Sequence, residues 1–177
     1  MRANVSLTSR DQIEVYQFSL PVSIGIPLLA LLLQSFLPVH FRFMSLFDLP
    51  LLVTIFFGVA RRNQVSGMAL GAIIGIVQDS LTHHPLGVFG IAKTVVGYGA
   101  SSLGVKIDVE NPGSRLLMTF AFTVLHGGLV FLVMRFLVSD PTQPVAWRWL
   151  HEVGAGAANG MLAIILFSVL DKFKQRA

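Results

Sequence analysis

The chain has 177 residues, 54% hydrophobic and only 12% charged, with a mean hydropathy of +0.72. A soluble domain carries roughly twice that charged fraction, so lipid is the expected solvent, and apolar runs near the ~20-residue spanning length recur along the chain. The absence of cysteine excludes a disulfide framework and thiolate chemistry, and the net charge of +4 sits at the ends of apolar runs, where it reports topology rather than a nucleic-acid partner.

In chain order, residues 1–18 are polar and mixed in charge, without the form of a cleavable signal peptide. They predict a cytoplasmic N-terminal segment, with "DQIEVYQF" (11–18) a short surface helix turning Ile13, Tyr16 and Phe18 to the lipid. Six transmembrane helices follow, at about Ser19–Pro38, Ser45–Ala60, Val65–Leu81, Leu86–Val105, Arg115–Val138 and Val153–Phe173. The second and third are short for a bilayer, which predicts thinning or burial by neighbours. Residues 1–177 therefore read as a single polytopic membrane domain of all-α class. The bias of Lys and Arg sets its orientation. Arg2, Arg10, Arg61, Arg62, Lys106, Arg115, Lys172, Lys174 and Arg176 fall on one side, and Arg42, Arg135 and Arg148 on the other. The first side is expected to be cytoplasmic and to hold both termini. Trp147 and Trp149, in the longest loop, read as interfacial anchors.

Small residues mark the packing faces. Gly67, Gly71 and Gly75 are four apart in the third helix, and Gly90 and Gly97 flank Lys93 on one face of the fourth. Gly156 and Gly160 repeat the spacing in the sixth, with Asn159 between them as a candidate interhelical hydrogen-bonding group. The third helix's ladder continues to Asp79, and the short "THHP" link makes the third and fourth helices antiparallel neighbours. Lys93 lies about 10 Å into its helix and leans back toward the outer end, so it is expected to pair with Asp79, directly or through water. His126 is expected to make an interhelical hydrogen bond, and Asp48 to cap or solvate a helix end.

Asp79, Lys93, His83, His84, Pro85 and Gly87 thus form a polar cluster at one outer turn, a candidate partner surface. Metal binding is not expected there, because adjacent histidines on a helix cannot face one ion and zinc sites need three or four ligands. No nucleophile elbow, phosphate loop or dinucleotide fingerprint occurs, so neither an enzyme nor a cofactor is expected.

One stretch of the chain resembles a known family. "FDLPLLVTIFFGVARRNQVSGMALGAIIGIVQDSLTHHPLGVFGIAKTVVGYGASSLG" (Phe47–Gly104) is similar to the rod shape-determining protein MreD family. The likeness rests on an apolar span ending in Arg61 and Arg62, a small-residue span closing in Asp79, then Pro85, Leu86 and Gly87, and last Gly97, Tyr98, Ser101 and Ser102. The resemblance implies a non-enzymatic inner-membrane component of the cell-elongation machinery, supporting rod shape and lateral peptidoglycan synthesis. It implies MreC as partner, and RodA with its penicillin-binding transpeptidase and MreB in a larger complex, besides membrane lipids. It also implies a bundle like the substrate-binding S components of energy-coupling-factor transporters. The alternative reading follows from that: a transporter component whose Asp79, His83, His84, Lys93 and Trp147 line a vitamin- or metal-sized outer pocket. Against it, the first helix carries Ala30 alone where such components often present an Ala-xxx-Ala docking surface.

Overall fold

The computed structural model describes residues 16–105, 111–138 and 146–176. Its elements are β1 (Tyr16–Gln17), α1 (Leu20–His40), a 3-10 turn (Arg42–Leu46), α2 (Leu49–Arg61), α3 (Gln64–Thr82), α4 (Val88–Leu103), α5 (Pro112–Val133) running into a π turn (Met134–Val138), α6 (Trp149–Leu170), a 3-10 turn (Asp171–Phe173) and β2 (Gln175–Arg176). Five helical stretches are long and apolar enough to cross a membrane. The exception is α4, with 16 residues, about 24 Å of rise against a hydrocarbon core of about 30 Å.

Helix α2 is the centre of the bundle. Every residue from Pro50 to Ala60 is buried, because α1, α3, α4, α5 and α6 all pack against it. Its 13 residues are extended by the preceding 3-10 turn into a 20-residue apolar stretch, Arg42–Arg61. Asp48 caps its N-terminus, accepting from the Leu51 N–H at 2.9 Å, and Arg62, at φ 53°, turns the chain directly into α3. The apolar core runs from Leu51, Ile55 and Phe57 of α2 to Ile74, Val96, Phe122 and Phe167 on four neighbours.

Helices α3 and α4 are joined backbone to backbone. A Cβ on Gly67 would overlap the backbone of Gly97, one on Gly71 that of Lys93, and one on Gly75 that of Phe89 and Gly90. A Cβ on Gly97 would in turn overlap the Gly67 carbonyl. The other small-residue pair is looser: Gly156 faces the Phe120 ring, and Gly160 faces Leu116.

The short helix expected over 11–18 is corrected for the residues described. Tyr16 and Gln17 are extended and pair antiparallel with Arg176 and Gln175. Phe18 is not turned to lipid; its ring packs edge-on against Phe57 at 4.8 Å and Phe56 at 5.8 Å. A pairing made across the whole chain overrides a weak local helical pattern. Residues 11–15, with Arg2, Arg10 and Lys106, lie outside the described residues.

Candidate functional site: the outer polar cluster

Asp79 and Lys93 do not pair. Asp79, fully buried in the last turn of α3, caps α4 instead. Its carboxylate accepts from the backbone N–H of Gly87 at 2.9 Å, Phe89 at 3.1 Å and Gly90 at 3.4 Å. The reason is local. The first N–H groups of a helix need acceptors, and the N-cap residue here, Gly87 at φ 99°, has no side chain to offer one. A carboxylate beside those donors gains charge-assisted hydrogen bonds and the favourable end of the helix dipole. The preceding link closes in the same way: His83, at φ 57°, ends α3, and the His84 N–H donates to the Asp79 carbonyl at 3.1 Å. Pro85 offers its carbonyl to the Val88 N–H at 3.3 Å, and the His84 ring packs at a tilt against Phe89, centroids 4.7 Å apart.

Lys93 is fully buried and pairs with Asp48 on the central helix, Nζ to Oδ2 at 2.5 Å. It also reaches His126 Nε2 on α5 at 3.2 Å. An ammonium only donates, so Nε2 is the lone-pair nitrogen of a neutral imidazole and the ring proton sits on Nδ1. Phe89 covers the ammonium from one side, its ring centroid 5.2 Å away. Asp48 is therefore more than a cap: it is the counter-ion that makes a lysine inside the bundle tolerable. With Asp79 saturated by backbone donors, Asp48 was the remaining carboxylate at the level Lys93 reaches.

Two amide side chains fix the segment that carries Asp48. Asn159 of α6 accepts from the Asp48 N–H at 3.0 Å and donates to the Leu46 carbonyl at 3.1 Å. Gln34 of α1 accepts from the Leu49 N–H at 3.0 Å and donates to the Phe47 carbonyl at 2.9 Å. Each amide answers one backbone donor and one acceptor, so residues 46–49 are clamped from both sides. Sequence reasoning found Asn159 and missed Gln34. A lone amide in the apolar run of the first helix was the available signal, since a polar group at that depth needs a partner.

Over this network opens a cavity of about 660 Å³, reached by Gln34, Asp48, Gln78, His126, Glu152 and Asn159. That volume lies in the range of small-ligand sites. His83 and His84 also reach it. Asp79 and Lys93 lie behind its wall, not on it, and Trp147 packs instead on Phe131 at 5.4 Å, so the pocket drawn from the transporter likeness is corrected in those three residues. Gln78 Oε1 is buried there with no hydrogen-bond partner among the described residues. Among those residues no three His, Cys, Asp or Glu side chains group as metal ligands.

These features define a multi-pass helical membrane protein with a buried ion pair beneath a cavity at one end. The class becomes specific by comparison: the profile of the rod shape-determining protein MreD matches residues 14–176, nearly the whole chain. The chain belongs to the MreD family. No curated protein and no solved structure matches it.

Proposed function

We propose that this protein acts in bacterial rod-shape determination as a non-enzymatic component of the inner membrane. In this reading it has six spans and both termini in the cytoplasm, and it binds MreC. Through MreC it joins RodA, its penicillin-binding transpeptidase and MreB. The observation that carries the reading is the family match over residues 14–176. The basic residues agree with the orientation, since Arg61, Arg62, Arg115, Lys172 and Lys174 gather at the end opposite the cavity. The cavity then opens to the outside, and the turn of His83, His84, Pro85 and Gly87 beside it is the proposed partner surface. The glycine-packed α3–α4 seam and the clamped α2 entrance hold that surface in place.

The cavity also favours a second reading, a ligand-binding transport component, because its volume of about 660 Å³ and its unpartnered Gln78 Oε1 suit a small polar solute. One experiment separates the two. The tagged chain is solubilised from cells in mild detergent and its companions identified by mass spectrometry. Recovery of MreC with the elongation synthase is expected. Recovery of a pair of ATPases with a coupling membrane protein would replace the shape reading with the transport one.

A further inference from the structure

The opposite, basic end carries a second site, unrelated to the outer cluster. Arg61, the last residue of α2, is held where α1, α2 and α3 meet. Its guanidinium donates to Ser23 Oγ at 2.7 Å and to Ser66 Oγ at 3.4 Å. It stacks over the Phe57 ring at 4.9 Å and the Phe18 ring at 5.9 Å. Arg62 follows directly. Among the described residues neither arginine has a carboxylate within ion-pair distance, although Lys93, Arg115 and Lys174 each have one. Two hydroxyls fix the guanidinium's direction, and among the described residues no carboxylate compensates its charge.

Beside it lies a groove of about 560 Å³, whose walls divide by chemistry. One wall is Arg61, Ser66 and Asn63, at the N-terminus of the 19-residue α3. Asn63 Oδ1 takes the Ser66 N–H at 2.9 Å, while the Gln64 and Val65 N–H groups, first in the helix, have no intrahelical acceptor. The other wall is Leu20 and Ile24 of α1, 77% and 64% exposed, an apolar shelf running toward the membrane interior. An oriented fork of N–H donors, unpaired positive charge and a helix N-terminus match a phosphodiester. An apolar shelf continuing from that point matches an acyl chain. A free phosphate would leave the shelf unused.

We propose that this groove binds the headgroup of one anionic phospholipid, its phosphate on Arg61 and the start of α3 and one acyl chain along Leu20 and Ile24. The lipid would fasten α1, the most peripheral helix, to α2 and α3 at the leaflet surface.

The test is native mass spectrometry of the full chain in mild detergent, with equal phosphatidylglycerol and phosphatidylethanolamine added. One retained phosphatidylglycerol per chain is expected, in about tenfold preference over phosphatidylethanolamine, equivalent to about 1.4 kcal/mol. Arg61→Gln should abolish the preference. Because that change also removes the bonds to Ser23 and Ser66, Ile24→Trp is the companion: it fills the groove from an exposed position and leaves the guanidinium in place. Ile24→Trp should lose the retained lipid with an unchanged thermal midpoint. Equal retention of the two lipids, or full retention by a folded Ile24→Trp chain, would overturn the proposal. Displacement of the lipid by millimolar inorganic phosphate would also overturn it, reducing the groove to an ion site.

Discussion

The two ends of the bundle solve the same problem, a cation among apolar helices, in different ways. At the cavity end Lys93 is fully buried with a single carboxylate, Asp48, which is itself fixed by Leu51 and Asn159. At the basic end Asp171 is shared: Arg115 Nη2 reaches its Oδ2 at 2.5 Å and Lys174 Nζ its Oδ1 at 2.7 Å. Lys174 also lies over the Tyr16 ring at 4.5 Å, beside the β1–β2 pairing. The space enclosed there by α2, α5 and α6 is only about 10 Å³, against about 660 Å³ at the other end. The Arg115–Asp171–Lys174 cluster is a closed clasp with redundant charges; Lys93–Asp48 is a single-copy ion pair beneath an opening. The α2–α5–α6 side of the basic end is thus tied shut, whereas the ion pair at the other end lies under a cavity.

The comparison is broken most directly at Lys93. Lys93→Met leaves Asp48 without its counter-ion and is expected to cost about 3–5 kcal/mol. Asp48→Asn in the same chain should recover most of that loss, because two neutral groups need no pairing and asparagine still caps α2. Thermal unfolding in detergent of the two single variants and the double variant measures the coupling. A double variant no better than Lys93→Met would mean that the pair is not the source of the cost.

Asp79 comes next. Asp79→Ala leaves the Gly87, Phe89 and Gly90 N–H groups without their acceptor, an expected loss of about 2–3 kcal/mol. Since Asp79 and Lys93 belong to separate hydrogen-bond sets, Lys93→Met should not rescue it. The two costs should not cancel, although Phe89, whose N–H bonds Asp79 and whose ring covers Lys93, links the two sites. Rescue would restore the direct pairing that the structure replaces.

This pair of aspartates also marks how far the sequence could be read. The glycine ladder of α3, the facing stripe of α4 and the tight outer turn were legible, because each is a local spacing on one or two adjacent helices. Asp48, His126 and Asn159 at the outer end were named too, whereas Gln34, Gln78 and Glu152 were not. What was not legible was which carboxylate takes which donor. That choice depends on α2 standing at the centre of the bundle, a relation between distant segments that no spacing encodes. The side-chain-free N-cap at Gly87 was the clue: it leaves backbone donors that a neighbouring Asp79 satisfies before any lysine does. The β1–β2 pairing was hidden for the same reason, since Tyr16 and Arg176 lie at opposite ends of the chain.

A smaller effect tests the clamp on residues 46–49. Asn159→Ala removes one acceptor and one donor facing the chain that carries Asp48, and about 1–2 kcal/mol is expected. Its second readout is capture of MreC. If the outer surface is the partner's seat, loosening the α2 entrance should weaken capture more than the stability loss alone explains, when compared with an equally destabilised variant elsewhere.

The smallest effect belongs to the basic end, and it decides whether the ends truly differ. Lys174→Met removes one of two cations from Asp171 and leaves Arg115 in place, with Ser168 still accepting from the Arg115 guanidinium at 3.2 Å. Asp171 keeps a partner, and its side chain is 28% exposed, so water screens what remains. A methionine loses the ammonium over the Tyr16 and Phe56 rings but keeps an apolar stem beside them. The expected change is below about 1 kcal/mol, several-fold less than for Lys93→Met by the same thermal assay. Equal costs at the two lysines would show that the clasp has no redundancy. The contrast between the Asp171 clasp and the Lys93 pair would then rest on the adjoining cavity volumes alone.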